Sequence, residues 1–302
     1  MKKTLAIIST LILALSFSGC GINKTSKENA PAKPSYEENK NKKSAGQAEK
    51  KSSGLSSTEN KTTANSNKPY DVKELKHNNE GVPVIMYHSV KYEKDNPVRI
   101  SKENFESQMK YLKDNGYTTL TLDELYDFLE KNVPIPKKSV VLTFDDGYKD
   151  NYENAYPILK KYGFKATIFV ITNCIGTGEY LTSDELKELQ QNGIDIESHT
   201  INHESLNEIS YDKQLETLKG SKESLEKLLN KKVKYIAYPY GKYNENTIKA
   251  AKAAGYKLAV TTNGKWSDKS DGIYTLDRVF ISGFHDTNTF KKRIGNPQYS
   301  LD

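Results

Sequence analysis

His199-Thr200-Ile201-Asn202-His203 sets two imidazoles four residues apart in a chain with only five histidines. On one helical turn, or a helix-like loop, such a pair points the same way and can share one ion. A second loaded stretch, Thr143-Phe144-Asp145-Asp146-Gly147, ends an apolar run. One of its carboxylates would complete a two-histidine, one-carboxylate set that leaves coordination positions open for water and substrate. The other would then accept a proton from water acidified by the ion. The competing reading of Asp-Asp-Gly is a helix-capping turn ahead of "NYENAYPILKKYG". The histidine pair tips the choice toward catalysis.

Positioning these groups requires a frame, and the chain from Pro83 onward alternates strand-like with helix-like stretches. Apolar, β-branched runs lie at 82–87, 118–122, 139–144, 166–171, 194–198, 233–238 and 257–262. Between them stand helical spacings such as Phe105/Met109/Leu112, Leu186/Leu189 and Leu215–Leu229, several ending in Gly before the next strand ("DNGY", "KYGF", "QNGI", "AAGY"). Seven strands alternating with helices imply parallel pairing through crossovers, hence α/β. The expected architecture is a distorted (β/α)7 TIM-like barrel forming a single catalytic domain over residues 77–302, with a doubly wound open sheet as the rival. In parallel barrels the functional groups follow the C-terminal ends of strands. Four of the seven runs end that way: in His88, in Asp145-Asp146-Gly147, in His199 with His203 beyond, and in Pro239-Tyr240-Gly241.

"TFDDG", "HTINH" and "YPYG" resemble the motifs of the polysaccharide deacetylases (carbohydrate esterase family four, the NodB-homology domain), in that family's order and approximate spacing, from residue 82 to about 280. The resemblance implies that Asp145 is the general base and that Asp146, His199 and His203 hold a divalent metal. That metal would most often be Zn2+, with Co2+, Ni2+ or Mn2+ as alternatives the same ligands accept. It implies that Tyr240, after Pro239, offers its backbone N–H to the developing oxyanion, a contribution of around 3 kcal/mol. Many members carry a base-orienting Arg shortly before that proline, but "KYIAYPYG" has none, and Arg278 in "TLDRV" is the candidate to replace it. "VIMYHSV" near the start resembles the permuted arrangement of the poly-N-acetylglucosamine deacetylases, making His88 the general acid in preference to His285 in "SGFHDTNTF". Pro239, Tyr240 and Trp266 are the candidate substrate contacts, Trp266 as a sugar platform.

The activity implied is metal-dependent removal of N-acetyl groups from an N-acetylglucosamine-containing cell-surface polysaccharide: poly-N-acetylglucosamine, peptidoglycan or a chitin-like polymer. The alternatives are an O-acetyl esterase on xylan or another wall glycan, and a non-catalytic carbohydrate-binding lipoprotein. The binder has no need of the Asp pair.

"MKKTLAIISTLILALSFSGC" reads as an export signal over residues 1–20, and its "FSGC" ending resembles a bacterial lipoprotein cleavage site with Cys20 lipidated. Residues 21–76, rich in Lys, Ser and Asn, cannot bury enough apolar surface to offset chain entropy. They read as a disordered tether with a root-mean-square span of about 40 Å. Signal and tether carry +2 and +5 of the net +6, leaving −1 for residues 77–302, which argues against a nucleic-acid partner. The expectation is a monomer, lipid-anchored on the extracellular face of the membrane, or secreted if Cys20 is unmodified. Several acyl chains give stable attachment, so Cys20→Ser should move the protein from the membrane fraction to the soluble fraction. Fractionation as complete as the parent's would rule the anchor out.

Overall fold

The computed structural model describes Tyr70 and residues 74–300. The export signal, Cys20 and nearly all of the tether lie outside the described residues. In chain order the elements are β1 (Leu75–Lys76), β2 (Val84–Tyr87), α1 (Lys102–Asp114), β3 (Thr118–Leu120), α2 (Leu122–Lys131), β4 (Ile135–Pro136) and β5 (Ser139–Phe144). There follow α3 (Tyr156–Tyr162), β6 (Ala166–Val170), α4 (Ser183–Gln191), β7 (Ile194–Ser198), α5 (Tyr211–Leu229), β8 (Tyr235–Ala237), α6 (Glu245–Ala253), β9 (Leu258–Val260), β10 (Val279–Phe280) and α7 (Thr287–Gly295).

Parallel strands pair in the order β10-β2-β5-β6-β7-β8-β9, giving a curled α/β sheet, with β3 attached to β5 off that path. The two edges meet through a bridge between Val260 and Leu276, reinforced by the bond from Thr261 N to Leu276 O at 2.8 Å. Seven strands thus form the wall, as expected, but their membership differs. The run at 118–122 is a side branch. The missing wall strand is β10, whose two residues are too few to show an alternation.

Period-2 alternation sorts the wall residues into two cores. Val84, Val141, Phe169, Tyr235, Ala237, Leu258, Val260 and Leu276 gather inside the curl, where α2 plugs the bottom with Leu122, Leu125, Phe128 and Leu129. Their neighbours in sequence, Ile85, Val140, Leu142, Ile168, Ile236 and Ala259, face outward against the other helices. The same alternation carries Asp145 (two past Thr143), His199 and Arg278 onto the inward register, above the apolar interior. Thr121 and Thr182 close capping boxes with Glu124 and Glu185, so α2 and α4 start at fixed residues. The helix-stop glycines Gly116, Gly163, Gly193 and Gly255 all have positive φ, as the sequence pattern requires.

The tether boundary at residue 76 needs correction. Leu75–Lys76 pairs antiparallel with Ile135–Pro136, and the Tyr70 hydroxyl donates to Glu124 at 3.0 Å.

The loop after β10 is seated on the loop after β2: Gly283 N donates to Pro97 O at 2.7 Å. A Cβ at Gly283 would overlap the backbone of Arg99. Gly283→Ala should therefore destabilise by ~1–3 kcal/mol through overpacking, at ~2–4 °C of Tm per kcal/mol for a domain of this size. An unchanged melting temperature would contradict the close approach.

Candidate active site

At the C-terminal end of β5, Asp145 continues the ladder by donating its N–H to Tyr87 O at 2.9 Å. Its carboxylate meets Arg278 end-on, with Nη1 to Oδ1 at 2.7 Å and Nη2 to Oδ2 at 2.6 Å. The remaining guanidinium bonds go to Thr261 O and Thr143 Oγ1, and the cation lies over the Phe169 ring. Arg278 is 0% exposed and Asp145 2%. Burial pushes the Asp145 carboxyl up, yet the charge and hydrogen bonds of Arg278 hold it below the usual carboxylate range. Arg278 therefore stands where the sequence analysis sought a replacement for the absent arginine.

Asp146 follows in the left-handed region at φ 71. Its Oδ1 is buried without a hydrogen-bond partner, 3.4 Å from His199 Nε2 and 3.5 Å from His203 Nε2. Burial again opposes ionisation, but the His199 contact and the surrounding imidazoles keep this carboxyl well below its ordinary value.

The His199–His203 segment is a loop rather than a helical turn: Thr200 and His203 have φ of 67 and 61. It is pinned from both sides. Thr172 N and Asn173 N donate to Thr200 O and Ile201 O, and Ile201 N donates to Thr217 Oγ1. His199 Nδ1 is 2.8 Å from Ala237 O, an arrangement that places the proton on Nδ1 and the lone pair on Nε2. Burial and the His199 charge bring the His203 pKa down to about 4, favouring the neutral ring that can ligate. At His199 burial acts the same way but is outweighed by Asp146 and Asp145, which raise its pKa.

These three residues fit a divalent cation. Tetrahedral ligands ~2.0–2.2 Å from an ion lie ~3.4 Å apart, which matches both Asp146–His separations. The orphaned Asp146 Oδ1 is the atom a cation would satisfy.

His88, next after β2, packs its ring edge-on against Phe280 with Nδ1 buried and unpartnered. His285 also packs its ring edge-on with Phe280, and its Nδ1 accepts from Ser282 N at 3.0 Å. Burial and the Arg293 charge lower its pKa. Tyr240 is 56% exposed, has φ 59, and sets its ring 4.4 Å from that of His203. Pro239 is buried beneath it.

Trp266 is elsewhere. After β9 the chain doubles back to pair Ser267 with Val82, at the start of β2, and the indole donates to Arg293 O at 2.8 Å. It is a packing residue at the end of β2 opposite His88, not a platform at the mouth. The sequence reading assumed that the loop stayed at the top of the barrel.

Asp150 and Asn151 were not legible. Asp150 stands at the start of the π-helical turn Asn151–Ala155, where an aspartate ordinarily caps, but its side chain makes no capping bond. It accepts instead from Ser89 Oγ at 2.7 Å and Val90 N at 2.6 Å, while Asn151 Nδ2 donates to His88 O at 2.8 Å. Only the π-helical turn, frequent at functional sites, hints at this, and a sequence does not display it.

A curled parallel barrel with an arginine-held carboxylate beside an Asp-His-His cluster defines a hydrolase with a metal-type site. The family model described as polysaccharide deacetylase matches residues 132–259, leaving His88 and Arg278 outside the matched segment. The Bacillus subtilis (strain 168) protein YxkH, which carries a polysaccharide deacetylase name, is 45% identical over 201 residues, 67% of this chain and 71% of that protein. The poly-beta-1,6-N-acetyl-D-glucosamine N-deacetylase of Staphylococcus aureus (strain MSSA476) is 36% identical over 200 residues, 61% of this chain and 68% of that enzyme. Among solved structures, the Streptococcus pyogenes deacetylase PplD in complex with acetate aligns with TM-score 0.68 and 37% identity, covering 71% of this chain and 98% of that one. The chain belongs to the polysaccharide deacetylase family and is a deacetylase enzyme. That family is metal-dependent.

Removing Arg278 would leave a buried carboxylate uncompensated, a loss of ~3–5 kcal/mol for such pairs. Because the guanidinium is what depresses the Asp145 pKa, Arg278→Gln should also raise it. The acid-side limb of kcat/KM should then move to higher pH, since the base must ionise before it acts. A limb that stays in place in a folded variant would show that Arg278 does not tune Asp145.

Proposed function

We propose that this enzyme removes N-acetyl groups from an N-acetylglucosamine-containing cell-surface polysaccharide. The observation that carries the reading is the Asp145 carboxylate, fixed by both guanidinium nitrogens of Arg278 beside the Asp146-His199-His203 cluster. Poly-N-acetylglucosamine is the first substrate to test, supported by the name of the Staphylococcus relative; peptidoglycan and chitin-like oligomers belong to the same class.

A divalent cation, Zn2+ first, held by Asp146, His199 and His203 would supply a Lewis acid for the acetyl carbonyl and lower the pKa of water nearby. Asp145 takes the proton of the attacking water. Each of its oxygens gives one lone pair to Arg278 and keeps another free. The N–H of Tyr240, on its left-handed turn, donates to the oxyanion. His88 protonates the leaving nitrogen, so that amide and water become amine and acetate. Phe280 backs the His88 ring, while the Nδ1 of His285 is already engaged by its own turn. Lipidation at Cys20 would hold the enzyme, as a monomer, on the outer face of the cell membrane.

Acetate release from N-acetylated oligomers should fall to baseline with a chelator and return with Zn2+. Chelator-insensitive release, or a preference for O-acetylated xylan, would overturn the respective half of the reading. His88→Ala should lose at least roughly a hundredfold in turnover with metal content intact, and His285→Ala less than about fivefold. The reverse pattern would return the acid to the C-terminal loop.

A further inference from the structure

A buried carboxylate that declines its local helix-capping partners must be doing something else. Asp150 is 5% exposed and makes no capping bond to the helical turn that it starts; apart from the Asn151 Nδ2 contact to Oδ1 at 3.3 Å, its oxygens are taken up by the turn just after β2. Oδ2 receives Ser89 Oγ at 2.7 Å and Oδ1 receives Val90 N at 2.6 Å. Asn151 Nδ2 reaches His88 O at 2.8 Å, and Asn154 Nδ2 reaches Val90 O at 2.9 Å. Three side chains of one segment, Asp150, Asn151 and Asn154, therefore hold the three residues His88, Ser89 and Val90. That same segment carries Asp145 and Asp146, five and four residues upstream of Asp150. The π-helical turn Asn151–Ala155 and the Asp150 before it thus present three side chains to one neighbour.

We propose that Asp150 is a positioning residue for His88: with Asn151 it locks the His88 turn to the segment bearing Asp145 and Asp146, and so sets the separation of proton donor and proton acceptor. This rests on His88 being the acid. Mis-setting a reacting group by about 1 Å can cost on the order of a hundredfold, whereas the burial of the turn itself is shared with Val90 and Ile100 and does not depend on Asp150 alone. The bonds are made to the backbone and hydroxyl around His88 and leave its imidazole free to act.

The test uses the full, zinc-loaded chain with N-acetylglucosamine oligomers and reads kcat, KM and bound metal for Asp150→Ala, for His88→Ala, and for the double variant. Asp150→Ala should lower kcat by about ten- to a hundredfold with KM within about twofold and metal retained. In the His88→Ala background it should cost less than about twofold more, because a group that acts through His88 has nothing left to position. Losses that multiply in the double variant would overturn the proposal. Imidazole NMR signals give a readout independent of turnover. In Asp150→Ala those of His88 should shift or broaden while those of His199 and His203 hold. An unmoved His88 ring overturns the clamp even if activity falls. If His88→Ala keeps its turnover, the acid assignment fails, and the ring signals alone decide whether Asp150 holds the imidazole. Should Asp150→Ala not fold, Ser89→Ala removes one clamp bond from the other side and is read the same way, with an expected loss of about three- to tenfold.

Discussion

A fully buried guanidinium–carboxylate pair is the constraint on which the upper half of this barrel depends. Taking both charges out of water costs several kcal/mol per ion, and only close, two-point geometry with the remaining donors satisfied recovers it. Arg278 meets that demand with Asp145 and Thr143 at the end of β5 and with Thr261 after β9, two separate stretches of wall. The pair therefore dictates where β10 must lie relative to β5 and β9. Lysine could not substitute, since a point charge lacks the planar fork that grips both oxygens.

Around this rigid centre the loops are strained in a consistent way. Of the seven non-glycine residues at positive φ among the described residues, Asp146, Thr200, His203 and Tyr240 belong to the site. Each such conformation costs of order 1–3 kcal/mol and persists only where the surroundings over-determine it. Here they do so through bonds between loops, such as Thr172 N to Thr200 O, and within them, such as His203 N to Thr200 Oγ1. The strained turns bring a carboxylate oxygen and two imidazole nitrogens to spacings that a regular helix or strand would not produce.

Much of this was legible beforehand because its signals are local. Apolar, β-branched runs, helix-stop glycines and loaded strand ends identified the α/β barrel and brought His88, Asp145, Asp146, His199 and His203 to one mouth. What escaped was non-local. A two-residue strand has no period to read, so β10 went unseen although Arg278, beside it, was named. Trp266 was misplaced because nothing in "TNGKWSD" reveals that the chain reverses down the wall. Nothing in the sequence singles out Asp150, and only the fold shows its carboxylate aimed at a turn some sixty positions earlier in sequence.

The antiparallel pairing of Leu75–Lys76 with Ile135–Pro136 has a directional meaning. Ile135–Pro136 leads into the start of β5, at the floor of the barrel, whereas the Asp and His cluster crowns the opposite rim. The polypeptide thus enters through the base and presents its chemistry at the far pole, like a lamp on a flex. Any attachment upstream of Leu75 would act as a leash on the floor. It would leave the rim, with its carboxylates and imidazoles, clear of whatever the base is fastened to.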